Sequence, residues 1–336
     1  MEKAKEFIMS NPHQIRTNRR FLKLSCCAAI LLLLSSILSH RVLAQNQQPK
    51  KAVVSKQTLI AKDNWPIHIT YYQSDDGKEA PVVVLLHTKG GNRLVWEGAT
   101  GLAQKLHKKG YAVITVDLRK HGESKSPTGA VPETGTKKNS FDSTSLKPND
   151  YKAMVAFDLE AVKRFILKEH INQNLNMQKL AIVAAGMSGP IAVNFAMLDW
   201  LKKPYDDAPT FAARTPRGQD VKALALISPD ANLPGMQSGK PLLQLRNPDL
   251  GIAFMFAVGT KDSLDKGQTR KMYSQVSGIT KNKTRTYYQT YPIKLRGTDL
   301  FGKGIRIEDH VSVFLDKHLK ALEIEWRDRR PRFDRK

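Results

Sequence analysis

Ser188 stands in Gly186-Met187-Ser188-Gly189-Pro190, which reads Gly-x-Ser-x-Pro and departs at one place from the Gly-x-Ser-x-Gly signature of a serine nucleophile. A hydroxyl attacks a carbonyl only when a base accepts its proton and a further group orients that base. A carboxylate for the orienting role is at hand in Asp262, just after the apolar run Ala253–Val258. Bases are scarcer: His310 and His318 fall in the helical pattern Ile307–Leu322 and read as helix-surface residues. A thiol nucleophile is excluded beyond residue 44, because the two cysteines are Cys26 and Cys27; so are a disulfide and a cysteine metal site. No grouping of His, Asp and Glu has metal-ligand spacing, and no cofactor is expected.

These groups need a scaffold, and the hydrophobic pattern supplies one. Pro81–Leu86 is a continuous apolar run of strand length, and Tyr111–Val116, Leu180–Ala184, Val221–Ile227 and Ile252–Val258 also read as strands. Such runs suit strands buried on both faces of a parallel sheet. Between them, helical spacing runs over Val95–Lys109, Tyr151–Glu169 (with Asp150 as its cap), Pro190–Leu201, Leu264–Val276 and Ile307–Leu322. Gln57–Ala61 and Ile67–Tyr72 read as a leading hairpin, and Thr284–Thr290 as a last strand. The alternation predicts an α/β fold, a mostly parallel doubly wound sheet of about eight strands with helices on both faces. Lys125–Asn149, rich in Ser, Thr, Pro, Gly and Lys, reads as a long loop insertion, either a lid or a disordered segment.

Two segments carry a resemblance. Val84-Leu85-Leu86-His87-Thr88-Lys89-Gly90-Gly91-Asn92-Arg93 is similar to the strand and His-Gly loop of α/β-hydrolases, and Asp117-Leu118-Arg119-Lys120-His121-Gly122-Glu123-Ser124 to their Asp-Leu-Arg-Gly-His-Gly-x-Ser segment. With the element order, the resemblance to the α/β-hydrolase superfamily, of the dienelactone hydrolase and esterase kind, spans Gln57 to Leu322. Thr88 and Lys120 depart from it, each standing where the family often has Gly.

The resemblance implies roles position by position. Backbone N–H groups at Lys89 and Met187 match the oxyanion hole. The best register of Leu180–Ala192 puts Ala184 and Ser188 at the small positions of the nucleophile elbow and Gly186 where the serine belongs. Asp262 matches the acid in Gly-x-x-Asp. In Leu295-Arg296-Gly297-Thr298, Arg296 occupies the histidine position, and arginine stays protonated near neutral pH. His87 and His121 match structural histidines. The implied protein is non-catalytic, with a degenerate triad at Gly186, Asp262 and Arg296 and an expected bidentate Arg296–Asp262 ion pair. Its cleft would bind a small molecule, anionic by the charge of Arg296, or a protein partner. A rival register makes Ser188 the nucleophile of an active ester hydrolase with Asp262; it sets Pro190 at a tightly packed small position.

Residues 1–44 read as a signal peptide, with Arg16, Arg19, Arg20 and Lys23 before the apolar run Leu24–Leu38 and Val42-Leu43-Ala44 at the cleavage point. The alternative is an uncleaved N-terminal anchor. The implied location is periplasmic or extracellular. Residues 45–55 read as a linker, 56–324 as the hydrolase domain and 325–336 as a basic tail. The formal net charge is +23; the leader holds seven Lys and Arg against two Glu, leaving +18. The excess is densest at Arg327, Arg329, Arg330, Arg332, Arg335 and Lys336, which predicts a solvated tail or, alternatively, a patch for an anionic envelope polymer. No recognition motif accompanies the charge, so a nucleic-acid partner is not expected.

Overall fold

The structure is a computed structural model and describes residues 53–98, 101–126 and 142–335. The leader, its cleavage point, residues 45–52 and most of the 125–149 insertion lie outside the described residues.

The leading hairpin forms as β1 (Val54–Ile60) and β2 (Pro66–Tyr72), paired antiparallel. The apolar runs become β3 (Pro81–Leu86), β4 (Ala112–Val116), β5 (Asn176–Ala185) and β6 (Val221–Ile227). A two-residue pair follows, β7 (Asn232–Leu233) with β8 (Met236–Gln237), and then β9 (Ala253–Gly259) and β10 (Thr286–Tyr291). Eight of them make one sheet in the order β1-β2-β4-β3-β5-β6-β9-β10. β2 runs antiparallel to both neighbours, and every pair from β4 to β10 is parallel. This is the α/β-hydrolase arrangement the sequence predicts.

The central strands are largely apolar because two cores share them. Val82, Val84 and Leu86 of β3 with Ile182 and Ala184 of β5 point to one core; Val83, Leu85, Ala181 and Val183 point to the other. The first face is covered by α2 (Pro148–Ala153), α3 (Leu159–Ile171), α4 (Ser188–Leu201), α5 (Gly239–Leu245) and α6 (Gln268–Ser277). The second is covered by α1 (Leu102–Lys108) and α7 (Ile307–Leu315).

Several boundaries differ from the periodicity. The helix expected over Val95–Lys109 is a 3-10 turn at Arg93–Trp96 followed by α1, because Gly98 turns the chain with φ +92° between them. Asp150 does not precede its helix: α2 starts at Pro148, and from its first turn the Asp150 carboxylate accepts the Lys147 backbone N–H at 2.7 Å. A widened π turn, Met154–Asp158, joins α2 to α3.

The largest departure is residues 325–335, expected as part of a solvated tail; with residues 323 and 324 they take a fixed course. They form a strap across the starts of β5 and β6. Asn176 donates its side-chain amide to the Ile324 carbonyl and Gln178 to that of Glu325, each at 2.9 Å, and the Trp326 indole N–H donates to the His170 carbonyl at 2.9 Å. Arg329 is buried, its guanidinium on Asp220 at 2.6 Å and on the Gly218 carbonyl at 2.8 Å. The run of arginines marks the charge but not the buried aspartate that fixes its place.

Candidate functional site

The carboxyl ends of β3, β5, β6 and β9 converge on Thr88, Gly186, Asp230 and Asp262. β5 ends at Ala185, Gly186 turns with φ +54°, and α4 opens at Ser188. The turn is held from both sides: the Gly186 N–H donates to the Ile227 carbonyl, while its own carbonyl accepts from the N–H groups of Gly189 and Asp230, all at 3.0 Å. A left-handed residue without a side chain fits here at no steric cost. A Cβ on Gly186 would lie 3.1 Å from Cγ2 of Thr88, and one on Gly297 would collide with the same methyl. Thr88, one of the two departures from the family pattern, therefore fills the space between the positions matching nucleophile and histidine. Its hydroxyl meets that of Thr298 at 3.1 Å.

Ser188 is not at the apex. It is fully buried, and its hydroxyl accepts the Ala185 N–H at 2.9 Å while lying 3.0 Å from the Leu86 carbonyl and 2.9 Å from that of Ala185. Every partner of the hydroxyl is a backbone group, as for a helix-start residue. No histidine is among its partners.

Arg296 reaches Asp262 as expected, Nη1 to Oδ2 at 2.6 Å. The contact is not bidentate. The other branch of the fork, Nη2, takes Oδ1 of Asp230 at 2.5 Å. Burial alone would lower the arginine's pKa, but the hydrogen bonds it donates to Asp262 and Asp230, with their charges, outweigh burial and raise it above its ordinary value. One cation thus bridges two anions, so the cleft does not present the free positive charge expected from Arg296. Asp230 was not legible in the sequence: it lies in Ser228-Pro229-Asp230, a turn after β6, 66 residues from its partner. Of the oxyanion-equivalent residues, Lys89 is exposed and the Met187 side chain is buried.

The second family segment is a structural knot. Asp117, fully buried at the end of β4, accepts the Arg93 N–H at 2.6 Å and the Glu123 N–H at 2.9 Å and pairs with the Arg93 guanidinium. Arg119 spans Asp63 at 2.8 Å and Asp158, carried by the π turn, at 2.5 Å. Lys120 takes the left-handed conformation, φ +65°, that glycine holds more cheaply, and its ammonium is tied to Asp150 at 2.9 Å. His87 and His121 pack with ring centroids 4.8 Å apart. His87 Nε2 accepts the Leu118 N–H at 3.2 Å, which leaves Nδ1 to donate to the Thr88 carbonyl at 2.7 Å. Burial, then the neighbouring His121, pulls the His87 pKa down to about 4, so the ring is neutral; burial also lowers that of His121. Among the described residues no group of three His, Cys, Asp or Glu could hold a metal ion, and no helix is long and apolar enough to cross a membrane.

A family model described as alpha/beta hydrolase fold matches residues 81–251, about half of the chain. The chain belongs to the α/β-hydrolase fold family. Similar solved structures include a dienelactone hydrolase of Anabaena variabilis, 12% identical with a TM-score of 0.51 over 80% of this chain and 99% of that one. An esterase of Pyrococcus furiosus is 14% identical, TM-score 0.51, over 82% and 95%. A cold-adapted esterase from an Arctic intertidal metagenomic library is 13% identical, TM-score 0.50, over 82% and 97%. At such identities the likeness is one of fold. No curated protein matches the sequence. In this α/β-hydrolase the matched segment contains Gly186 and Ser188, while Asp262 and Arg296 lie beyond it.

Proposed function

We propose that this is a non-catalytic α/β-hydrolase-fold protein that acts by binding at the strand-carboxyl edge. The observation that carries the reading is Gly186 at the turn where a nucleophile would stand, with Thr88 packed against it and Arg296 shared by Asp262 and Asp230. Glycine offers no attacking atom. Arginine takes no proton near neutral pH. Loss of a serine nucleophile costs about a millionfold in turnover, and oxyanion donors alone retain about a thousand- to ten-thousandfold over water. The guanidinium already serves two carboxylates, so an anionic ligand is not favoured. A ligand or protein partner that offers hydrogen-bond donors or positive charge to Asp230 suits the rim better.

The second reading is an active ester hydrolase using Ser188 with Asp262. The esterases among the structural neighbours favour it; the burial and backbone bonding of Ser188 count against it. Short p-nitrophenyl acyl esters separate the two. Wild type and Ser188→Ala are expected to turn over equally, at background, and a fluorophosphonate serine probe is expected to leave the wild type unlabelled. Turnover or labelling that disappears with Ser188 would overturn the proposal. The leader pattern supports an exported protein; N-terminal sequencing of extracytoplasmic material should begin at Gln45, and a full-length membrane-bound product would favour the anchor.

A further inference from the structure

The two most exposed of the large hydrophobic side chains described are Phe333, 73% exposed, and Phe211, 70%. They lie 122 residues apart in sequence, yet the structure laces their segments together. The Arg332 backbone N–H donates to Asp207 at 2.9 Å, its guanidinium to the Ala213 carbonyl at 2.8 Å, and Arg335 to the Thr215 hydroxyl at 2.6 Å. Phe333 adjoins Arg332, and Phe211 opens the short turn Phe211–Ala213. Leu201, 65% exposed at the last residue of α4, leads into the same loop.

Cations accompany these apolar groups. Lys203, Arg217, Arg327, Arg332 and Arg335 are all exposed and form no ion pair within 4 Å of a described carboxylate, although Asp207 and Asp328 feel the charges of Arg332 and Arg335; across 201–217 and 323–335 nine Lys and Arg outnumber six Asp and Glu. Arg214, Arg329 and Arg330, by contrast, are paired to Asp206, Asp220 and Asp328. Arg332 and Arg335 brace this framework together with the paired set, and Arg217 lies over the Tyr205 ring. Aromatic rings standing out among a surplus of Lys and Arg are the combination that seats a protein on an anionic lipid interface: the charges draw it to the surface and the rings enter the headgroup boundary.

We propose that the 201–217 loop and the 323–335 strap together form a docking face for an anionic phospholipid surface. The phenylalanines decide between occupants of the same charge. An anionic polymer needs only the cations, and a water-facing phenylalanine gains nothing from it; a bilayer gives both rings a place to go. Docking here leaves the strand-carboxyl edge free, because the strap crosses the opposite ends of β5 and β6.

The test reads the face locally, so that the N-terminal apolar segment of the full chain does not confuse it. Phe333→Trp is introduced into the full chain, and its fluorescence, less that of the wild type, is recorded with vesicles of brominated phosphatidylglycerol or brominated phosphatidylcholine at 0.15 M NaCl. The expected result is a blue shift and quenching by the phosphatidylglycerol vesicles alone. Adding Arg217→Gln and Arg327→Gln, which touch no ion pair, should raise the lipid concentration for half-quenching about thirtyfold. In the wild-type background, Phe211→Ser with Phe333→Ser should weaken co-sedimentation with phosphatidylglycerol vesicles. Three results would overturn the proposal: no quenching at position 333 even when the chain co-sediments with vesicles, equal quenching by both lipids, or heparin binding as tight as vesicle binding and indifferent to the two phenylalanines. The last would assign the face to a polymer.

Discussion

The two ends of β5 and β6 each carry an arginine set against aspartates, and they are built differently. At the carboxyl end, Arg296 bridges Asp262 and Asp230; its side chain is 18% exposed, and that of Asp230 34%. At the amino end, Arg329 holds Asp220 at 2.6 Å, while Lys163 holds Asp220 at 2.7 Å and Asp199 at 2.5 Å, all of them buried. Two cations there meet two anions. Burial by itself would lower the Lys163 pKa, but Asp220 and Asp199 raise it, and Lys163 in turn lowers that of Asp199. A desolvated cluster survives only when its charges balance and its hydrogen bonds are filled. At the carboxyl end Asp262 is buried but Asp230 meets water, so that end tolerates an anion in excess. The buried end holds the fold together, and the open end is free to meet something else.

Removing one arginine from each end is the strongest way to break this contrast. Arg329→Ala strips a fully buried aspartate of one of its two cations and unpins the strap, and is expected to cost about 3 kcal/mol in urea unfolding. Equal cost from Arg296→Ala would refute the distinction. Acid sharpens it from another side. His87, beside the open end, titrates near 4 when folded against 6.5 for an unperturbed ring. Between those values the unfolded chain binds the extra proton, so the stability His87 lends is intact above about pH 6.5 and is lost as pH falls towards 4. Going from pH 7.5 to 5 should cost the wild type about 2 kcal/mol more than His87→Gln, read from urea midpoints at the two pH values. The smallest effect is expected for Arg296→Ala itself. Water can hydrate Asp230, and Asp262 keeps the Leu264 N–H on Oδ1 at 2.9 Å, so about 1 kcal/mol is lost. A cost of several kcal/mol would mean that Arg296 is a structural keystone and would weaken the case for a binding edge.

Much of this was readable from residues alone. The parallel strands are legible because burial on two faces leaves no polar position in runs such as Pro81–Leu86. Gly186, Asp262 and Arg296 are legible because each follows a strand end, where register leaves little freedom. Asp230 is not, since nothing local marks an aspartate whose partner comes from a loop 66 residues on. Thr88 was visible as a departure, but its methyl packing against Gly186 depends on how β3 and β5 sit side by side. The strap was misread because arginine-rich segments are usually solvated, and only the tertiary structure reveals which one finds a buried aspartate.

The strap also bears on when the molecule can finish folding. His170 receives the Trp326 indole on its carbonyl and shares its Nε2 with the Arg327 carbonyl, 157 residues away, and Arg329 completes the charge around Asp220 from 109 residues away. In a chain emerging amino end first, the residues of α3, β5 and β6 are all out before Asp220 can meet its guanidinium. The amino edge therefore cannot close until residue 329 has emerged, whatever the state of the sheet. Pulse proteolysis of chains stalled just before and just after that residue has clear of the ribosome should show the step as a gain in protection at β6.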